Sequence, residues 1–388
     1  MLSYNLDETQ LQMIDLARKI GKEKIVPVRA ELDETGRFPW DILGILAEAG
    51  LFGVYIPEEY GGLGFGNFEN CLVVEELSKY CIGVSVSFAA SGLGAYPILL
   101  FGSHEQKLKY LPDIAAGKKI AAFGITESGA GSDAGAIRTT ATRKDDKYVL
   151  NGVKQWITNG GEAQTYSVIA KTDKTKGARG ASAFVLEKDI PGFTFGKKEN
   201  KLGIRASATR ELVFEDCEIP TENILGREGQ GFIVAMKTFD QTRTGIAAQA
   251  VGLAQGALNE TLAYAHERKT FGKAICSHQA VQHMLANMAT QIEAARALTY
   301  EASRYCDSGA KDMAKYSSMA KLLSTDVCMQ VTTDCVQIFG GYGYMREYPV
   351  EKMMRDAKIL QIYEGTNQIQ RTVIGQFLIK EIAGNKVG

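Results

Sequence analysis

Apolar and polar positions change their period twice along the chain. After Asp7, the run D-E-T-Q-L-Q-M-I-D-L-A-R-K-I sets apolar residues at 11, 14, 17 and 20, the recurrence of a helix with one buried side. Asp7 stands before the run as an N-cap, and Gln10 follows at the spacing that lets a side chain bond back to the cap amide. D-I-L-G-I-L-A-E-A-G and N-C-L-V-V-E-E-L-S-K-Y continue the helical period around the glycine-rich P-E-E-Y-G-G-L-G-F-G, so residues 1–120 read as a helical domain. Between 121 and 231 the period shortens. K-Y-V-L-N-G-V-K-Q-W-I-T-N-G alternates on either side of Asn151-Gly152, which predicts a hairpin turn at that pair, and strands are predicted at 166–170, 183–187 and 211–215. From 232 to 388 the helical period returns, with apolar or largely apolar positions at 281, 284, 285, 288, 292, 295, 298, 302 and 305. Helices, then strands, then helices, without regular alternation, predict an α+β fold and disfavour a doubly wound sheet.

Charge and composition narrow the function. Lys and Arg number 44 against 45 Asp and Glu, a net charge of -1, which removes the basic footprint of a nucleic-acid binder. Seven cysteines, an odd number with no C-x-x-C, point to reduced thiols and a cytoplasmic protein. The N-terminus lacks the basic-then-apolar pattern of a signal peptide, and no apolar run is expected to reach membrane-spanning length. The four histidines, at 104, 266, 278 and 283, lack zincin spacing, so no metal site is expected.

Two stretches carry candidate chemistry. Q-I-Y-E-G-T-N-Q-I-Q-R, at 361–371, holds a single glutamate, Glu364, with neither an acidic partner nor histidines beside it. A lone carboxylate in a water-poor pocket can act as a general base, because burial raises its pKa toward neutral pH. Gly129-Ala130-Gly131-Ser132-Asp133-Ala134 satisfies the loose dinucleotide pattern, but the threonine-rich segment after it makes a helix doubtful, so a Rossmann site is rejected. No G-x-x-x-x-G-K-[ST] is present. Such a turn can still hold an anion through its amides and the Ser132 hydroxyl.

Taken in order, I-T-E-S-G-A-G-S-D, K-Q-W-I-T-N-G-G, E-R-K-T-F-G-K, V-Q-I-F-G-G-Y-G-Y, M-R-D-A-K and I-Y-E-G-T-N-Q-I-Q-R resemble the successive signatures of the acyl-CoA dehydrogenases, over essentially the whole chain. The resemblance implies an N-terminal helical domain, a middle β-barrel-like domain and a C-terminal four-helix bundle. It also implies FAD-dependent formation of a 2-enoyl-CoA, with Glu364 taking the α-proton, the β-hydride going to flavin N5, and electrons passing to an electron-transferring flavoprotein. The thioester oxygen would be polarised by the Glu364 amide and a flavin ribose hydroxyl.

Residue by residue, the resemblance sets Phe123, Ile125, Thr126 and Ser132 at the flavin edge, with Trp156 and Thr158 beside the ring and Thr158 directed at N5. Arg268, Thr270, Phe271 and Gln279 would hold pyrophosphate and adenosine, with Gln337, Ile338, Gly340 and Gly341 alongside, and Thr366 and Gln368 closing the site. Several of these come from a neighbouring subunit in the family, which implies a homotetramer. Asp240 and Arg243 match positions near the CoA and acyl entrance, and Ser132, Tyr363 and Gly365 positions against the substrate. Ser128 stands where proline is common and Phe123 where tyrosine is common, and neither change touches the chemistry. Some members carry the base on the long helix after F-D-Q-T-R, where this chain has Thr244 and Gly245, so the base is expected at 364. An acyl pocket is guessed at Ala89, Ala90, Leu93 and Tyr363, with a preference for butyryl-CoA or another short, branched or cyclic acyl group. An acyl-CoA oxidase is disfavoured because such chains run longer past the last motif, and a non-catalytic flavoprotein scaffold because it leaves Glu364 unexplained.

Overall fold

The computed structural model of the protein describes residues 4–385. Helices α1 (Glu8–Ile20), α2 (Arg29–Thr35), α3 (Trp40–Glu48), α4 (Asn67–Ser78), α5 (Ile82–Phe101) and α6 (His104–Ala115) come first. The predicted start of α1 is present as a full capping box: the Gln10 amide donates to Asp7 at 2.8 Å and the Asp7 amide to the Gln10 side chain at 3.0 Å. The buried face matches the predicted one only in part, sharing Ala17 and Ile20 with it. Met13, Ala17 and Ile20 are buried, while Leu11 is half exposed. A strict three-residue repeat slips by about 60° per step on a helix, so Leu11 lies opposite Ile20, whereas 13, 17 and 20 share a side.

Helix α5 corrects a second expectation. It is 20 residues long with mean hydropathy 1.6 over its most apolar window, long and apolar enough to span a bilayer. Two thirds of that window (67%) is buried inside the protein, packed on α4, α6, α7 and the sheet, so its apolarity serves the core.

Strands β1 (Ala121–Gly124), β2 (Thr140–Lys144), β3 (Lys147–Thr158), β4 (Thr165–Lys171), β5 (Ala181–Glu187), β6 (Phe193–Phe195), β7 (Thr209–Pro220) and β8 (Ile224–Leu225) form one sheet in the order β6-β7-β3-β2-β4-β5-β8. β1 and β2 each join β4 in parallel, and the other pairs are antiparallel. The edge strands β6 and β8 pair with β7 and β5 but, among the described residues, not with each other, so the sheet is open at its edges.

The predicted turn at Asn151-Gly152 instead lies inside β3, opposite a bulge in β7 where Glu215 and Asp216 face Asn151 and Asp216 takes φ +47. Gly152 has φ +140, and a Cβ there would fall 2.7 Å from the Thr139 Cα. Asn151 is kept by its side chain, which accepts from the Asp216 amide at 2.9 Å. The β2–β3 hairpin turns instead at Asp145-Asp146, between the paired Lys144 and Lys147, where Asp145 takes φ +52. A short aspartate side chain tolerates that conformation well enough to replace glycine.

After the sheet come α7 (Gly231–Glu267), a small hairpin of β9 (Lys269–Thr270) and β10 (Lys273–Ala274), and then α8 (Gln279–Asp307), α9 (Met313–Phe339), α10 (Pro349–Leu360) and α11 (Asn367–Asn385). Of the predicted α8 stripe, Met288, Ile292, Ala295 and Ala302 are buried, and Tyr305 is exposed. One apolar core joins α1–α5 to the sheet through Phe52, Phe88, Tyr166 and Phe214, and a second binds α7, α8, α9 and α10.

The loop from β1 to β2 is fixed by a buried ion pair. Lys154, fully buried on β3, reaches Glu127 at 2.7 Å and the Ile125 carbonyl at 3.1 Å. Glu127 also accepts the amides of Arg138 and Thr139, at 2.6 and 2.9 Å. We expect Lys154→Met to cost about 3–5 kcal/mol in urea unfolding, because it strands a buried carboxylate, and Glu127→Gln in the same chain to restore part of that loss. Equal stability of the single and double variants would contradict this role.

Candidate active site

Glu364 stands in the turn between α10 and α11, in a conformation its sequence does not favour. Glu364 has φ +52 and Gly365 φ +92, so two successive residues occupy left-handed space. The strain persists because the surroundings over-determine the turn. Gln370 donates to the carbonyls of Glu364 and Gly365 at 3.2 and 2.8 Å. The buried Lys321 ammonium, from α9, donates to the Gly365 carbonyl at 2.9 Å and to the Asn367 side chain at 2.7 Å. Asn367 is held in turn by Thr325 and Asp326. The Glu364 N–H has no backbone acceptor among the described residues and stays free for a ligand.

The carboxylate accepts the Thr242 hydroxyl of α7 at 2.7 Å. Burial pushes its pKa up to about 7, against the opposing pull of Thr242, Arg243 and Lys321. Burial also brings the Lys321 ammonium down to about 7, with Glu364 partly resisting. Near neutral pH this carboxyl can therefore both take and release a proton.

Two cavities meet at Glu364. The first, about 130 Å³, lies among α4, α5, α7 and the sheet and is lined by Phe123, Ile125 and all four guessed acyl-pocket residues, Ala89, Ala90, Leu93 and Tyr363. The second, about 620 Å³, is bounded by Gly131, Ser132, Lys201, Gly365 and Thr366. Thr126, Trp156, Thr158, Tyr363 and Glu364 line both and mark the junction. Trp156 reaches it through a break in the β3–β7 register, where it adopts φ +58 and leaves 56% of its surface exposed. No helix follows the Gly129–Ser132 turn, only a single 3-10 turn at Ala134–Ala136, as the rejection of a Rossmann site requires.

The remaining predicted cofactor residues lie elsewhere. Arg268, Thr270, Ile338, Gly340 and Gly341 line a third cavity of about 450 Å³ that shares no wall with the other two. Phe271, in the two-residue β9–β10 turn with φ +49, is 95% exposed. Gln279 opens α8, Gln337 lies near the end of α9 and Gln368 is exposed on α11, and none of them lines a cavity described here.

Asp240 and Arg243 lie beside the Glu364 turn: both are buried and line neither cavity, they pair at 3.2 Å, and the guanidinium is 3.5 Å from the Glu364 carbonyl. The helix residue facing Glu364 is Thr242, not Thr244 or Gly245. Thr244 accepts from Asn67 at 2.5 Å, and Gly245 lines the first cavity. Thr242, Gly245, Ile246 and Gln249 recur at i, i+3, i+4, i+7, so the cavity face of α7 was readable as a stripe. Lys321 left no such signal, because one lysine in a long helix looks like any other.

The Glu364 carboxyl should titrate near 7 by carbon NMR of labelled glutamate. Thr242 and Lys321 both stabilise the charged form, so Thr242→Val and Lys321→Met should each move the value higher. Titration at the ordinary carboxylate value, or a downward move in either variant, would contradict this environment.

Three family models cover the chain: the acyl-CoA dehydrogenase N-terminal domain over residues 7–118, the middle domain over 122–217 and the C-terminal domain over 229–379. A short-chain specific acyl-CoA dehydrogenase of Clostridium acetobutylicum is 48% identical over 96% of this chain and 98% of its own. The butyryl-CoA dehydrogenase structure from Megasphaera elsdenii matches with a TM-score of 0.95 at 47% identity, over 97% of this chain and 99% of that one. A chain solved in work on the electron transferring flavoprotein of Acidaminococcus fermentans and flavin-based electron bifurcation matches with a TM-score of 0.95 at 50% identity, over 97% and 99%.

Proposed function

This chain belongs to the acyl-CoA dehydrogenase family, and we propose that Glu364 is the base with which it converts a short-chain acyl-CoA to the 2-enoyl-CoA, FAD accepting the hydride and an electron-transferring flavoprotein the electrons. We take residues 1–120, 121–231 and 232–388 as its domains. The observation that carries the reading is the position of Glu364: its carboxyl, pushed up to about 7, lies where the two cavities join.

The larger cavity fits the cofactor. Trp156 offers an aromatic wall, Thr126, Thr158 and Ser132 offer hydroxyls, and Gly131 brings backbone close. FAD, when bound, supplies the acceptor for the hydride that leaves the β-carbon. The rest is the work of this chain's residues. Glu364 removes the proton from the α-carbon, and its free amide N–H can donate to the thioester oxygen as negative charge gathers there. The Lys321 and Gln370 bonds keep the strained turn from relaxing, so the carboxyl holds its position through turnover. The smaller cavity, roofed by α4 and α5, takes the acyl chain, and its modest volume favours a short one.

The third cavity and the exposed Phe271 support a homotetramer in which the Arg268, Thr270 and Gly340 region serves the cofactor of a neighbouring copy. The unpaired state of all seven cysteines supports a cytoplasmic location.

Glu364→Gln should give yellow, folded protein whose flavin bleaches with butyryl-CoA at least ~10³-fold more slowly than the wild type under anaerobic conditions. Bleaching at the wild-type rate would remove Glu364 from its role.

A further inference from the structure

The wall that α4 and α5 give to the acyl cavity carries polar groups. Residues shared with the larger cavity mark the reacting end; the α4 and α5 side chains line the smaller cavity alone, and none of them bonds to Glu364. Three of these are polar: Asn67, Asn70 and Tyr96. Asn67 is accounted for, since it donates to Thr244 at 2.5 Å and accepts weakly from Cys71. The other two are not. Asn70 is 9% exposed and Tyr96 6%; neither polar end bonds to another of the described residues, and neither is among the polar atoms sealed inside the protein, so both open to the cavity. A buried amide and a buried phenol left without partners cost free energy unless something in the cavity meets them. Tyr96 stacks on Tyr55 at 5.1 Å, which fixes its ring, and burial pushes its pKa well above the ordinary value, so its hydroxyl keeps its proton.

From these two unpartnered groups we propose that the cavity selects acyl groups ending in an uncharged hydrogen-bonding function, a carboxamide or a hydroxyl, held by Asn70 and Tyr96. The inference rests on the dehydrogenase reading and names its substrate class. An amide side chain offers both donor and acceptor, and a phenol adds one more of each, which suits a terminus that itself does both. A carboxylate terminus is disfavoured. Among the described residues lining the cavity Glu364 is the one charged group, and it is an acid, so a terminal carboxylate would be buried with no cation to pair it. A plain alkyl terminus such as that of butyryl leaves both polar groups to water, so it is turned over but less well than an amide of the same shape.

The test compares isosteric thioesters on the FAD-loaded enzyme with an artificial electron acceptor: glutaramoyl-CoA against 5-methylhexanoyl-CoA, succinamoyl-CoA against 4-methylpentanoyl-CoA, and glutaryl-CoA as the charged analogue. We expect kcat/KM for the amide to exceed that of its isostere by at least ~10-fold in one pair, with glutaryl-CoA below glutaramoyl-CoA. In Asn70→Leu that ratio should collapse toward one or below, and in Tyr96→Phe, which removes only an oxygen, it should fall by a smaller factor. If Asn70→Leu does not fold, the ratio in Tyr96→Phe decides. The proposal is overturned if the alkyl isostere is turned over as well as the amide in both pairs, a result that assigns the two groups to ordered water, or if neither variant moves the ratio. If butyryl-CoA and every thioester of the panel fail to bleach the flavin, the dehydrogenase reading falls and takes this inference with it. Bleaching by alkyl thioesters alone overturns only the inference.

Discussion

The structure turns on how a carboxyl is kept out of water without being neutralised by a direct ion pair. Glu364 is contacted by one neutral donor, the Thr242 hydroxyl, while the nearest cations act from behind it. Arg243 is taken up by Asp240, and Lys321 by the Gly365 carbonyl and Asn367. Had either cation closed directly on the carboxylate, its pKa would have dropped into the range of an ordinary buried ion pair and its basicity with it. Burial therefore dominates, and the positive charges trim the shift without reversing it.

The same turn explains why helices and sheet must meet where they do. Left-handed geometry at two consecutive residues is stable only against a rigid background. The background here is α9, α11 and α7, tied to the turn by Lys321, Gln370 and Thr242. Opposite it, the sheet presents Trp156 and Thr158 from a strand whose register is broken at that point, with the adjoining loop pinned by the Glu127–Lys154 pair. One side of the site is made by the helical half of the chain and the other by the strands, which is why both cavities lie between them.

Much of this was readable from the residues and some was not. Elements set by local chemistry were legible: the Asp7 capping box, the strands at 166–170 and 183–187, and the helical bundle after the sheet. The Asn151-Gly152 turn was misread because the same dipeptide serves a tight turn and a strand position facing a bulge, and only the partners Thr139 and Asp216 decide between them. Helix α5 looks soluble or membranous depending on its partners, and its partners are distant in sequence. At the site, Glu364 could be singled out because it stands alone. Thr242 and Lys321 matter only through contacts across long stretches of chain, and Asn70 only through the cavity that distant segments close around it.

The central claim is geometric: the Glu364 carboxyl and the ring-binding cavity face each other across the acyl chain. A crystal structure of the FAD-loaded protein with a 3-thia-acyl-CoA, whose sulfur at the β-position cannot yield a hydride, tests it directly. The account predicts the α-carbon between the flavin ring and Glu364, about 3–3.5 Å from the carboxylate, with the thioester oxygen on the Glu364 amide. A thioester bound away from the junction of the two cavities, or a Glu364 side chain turned from it, would contradict the account.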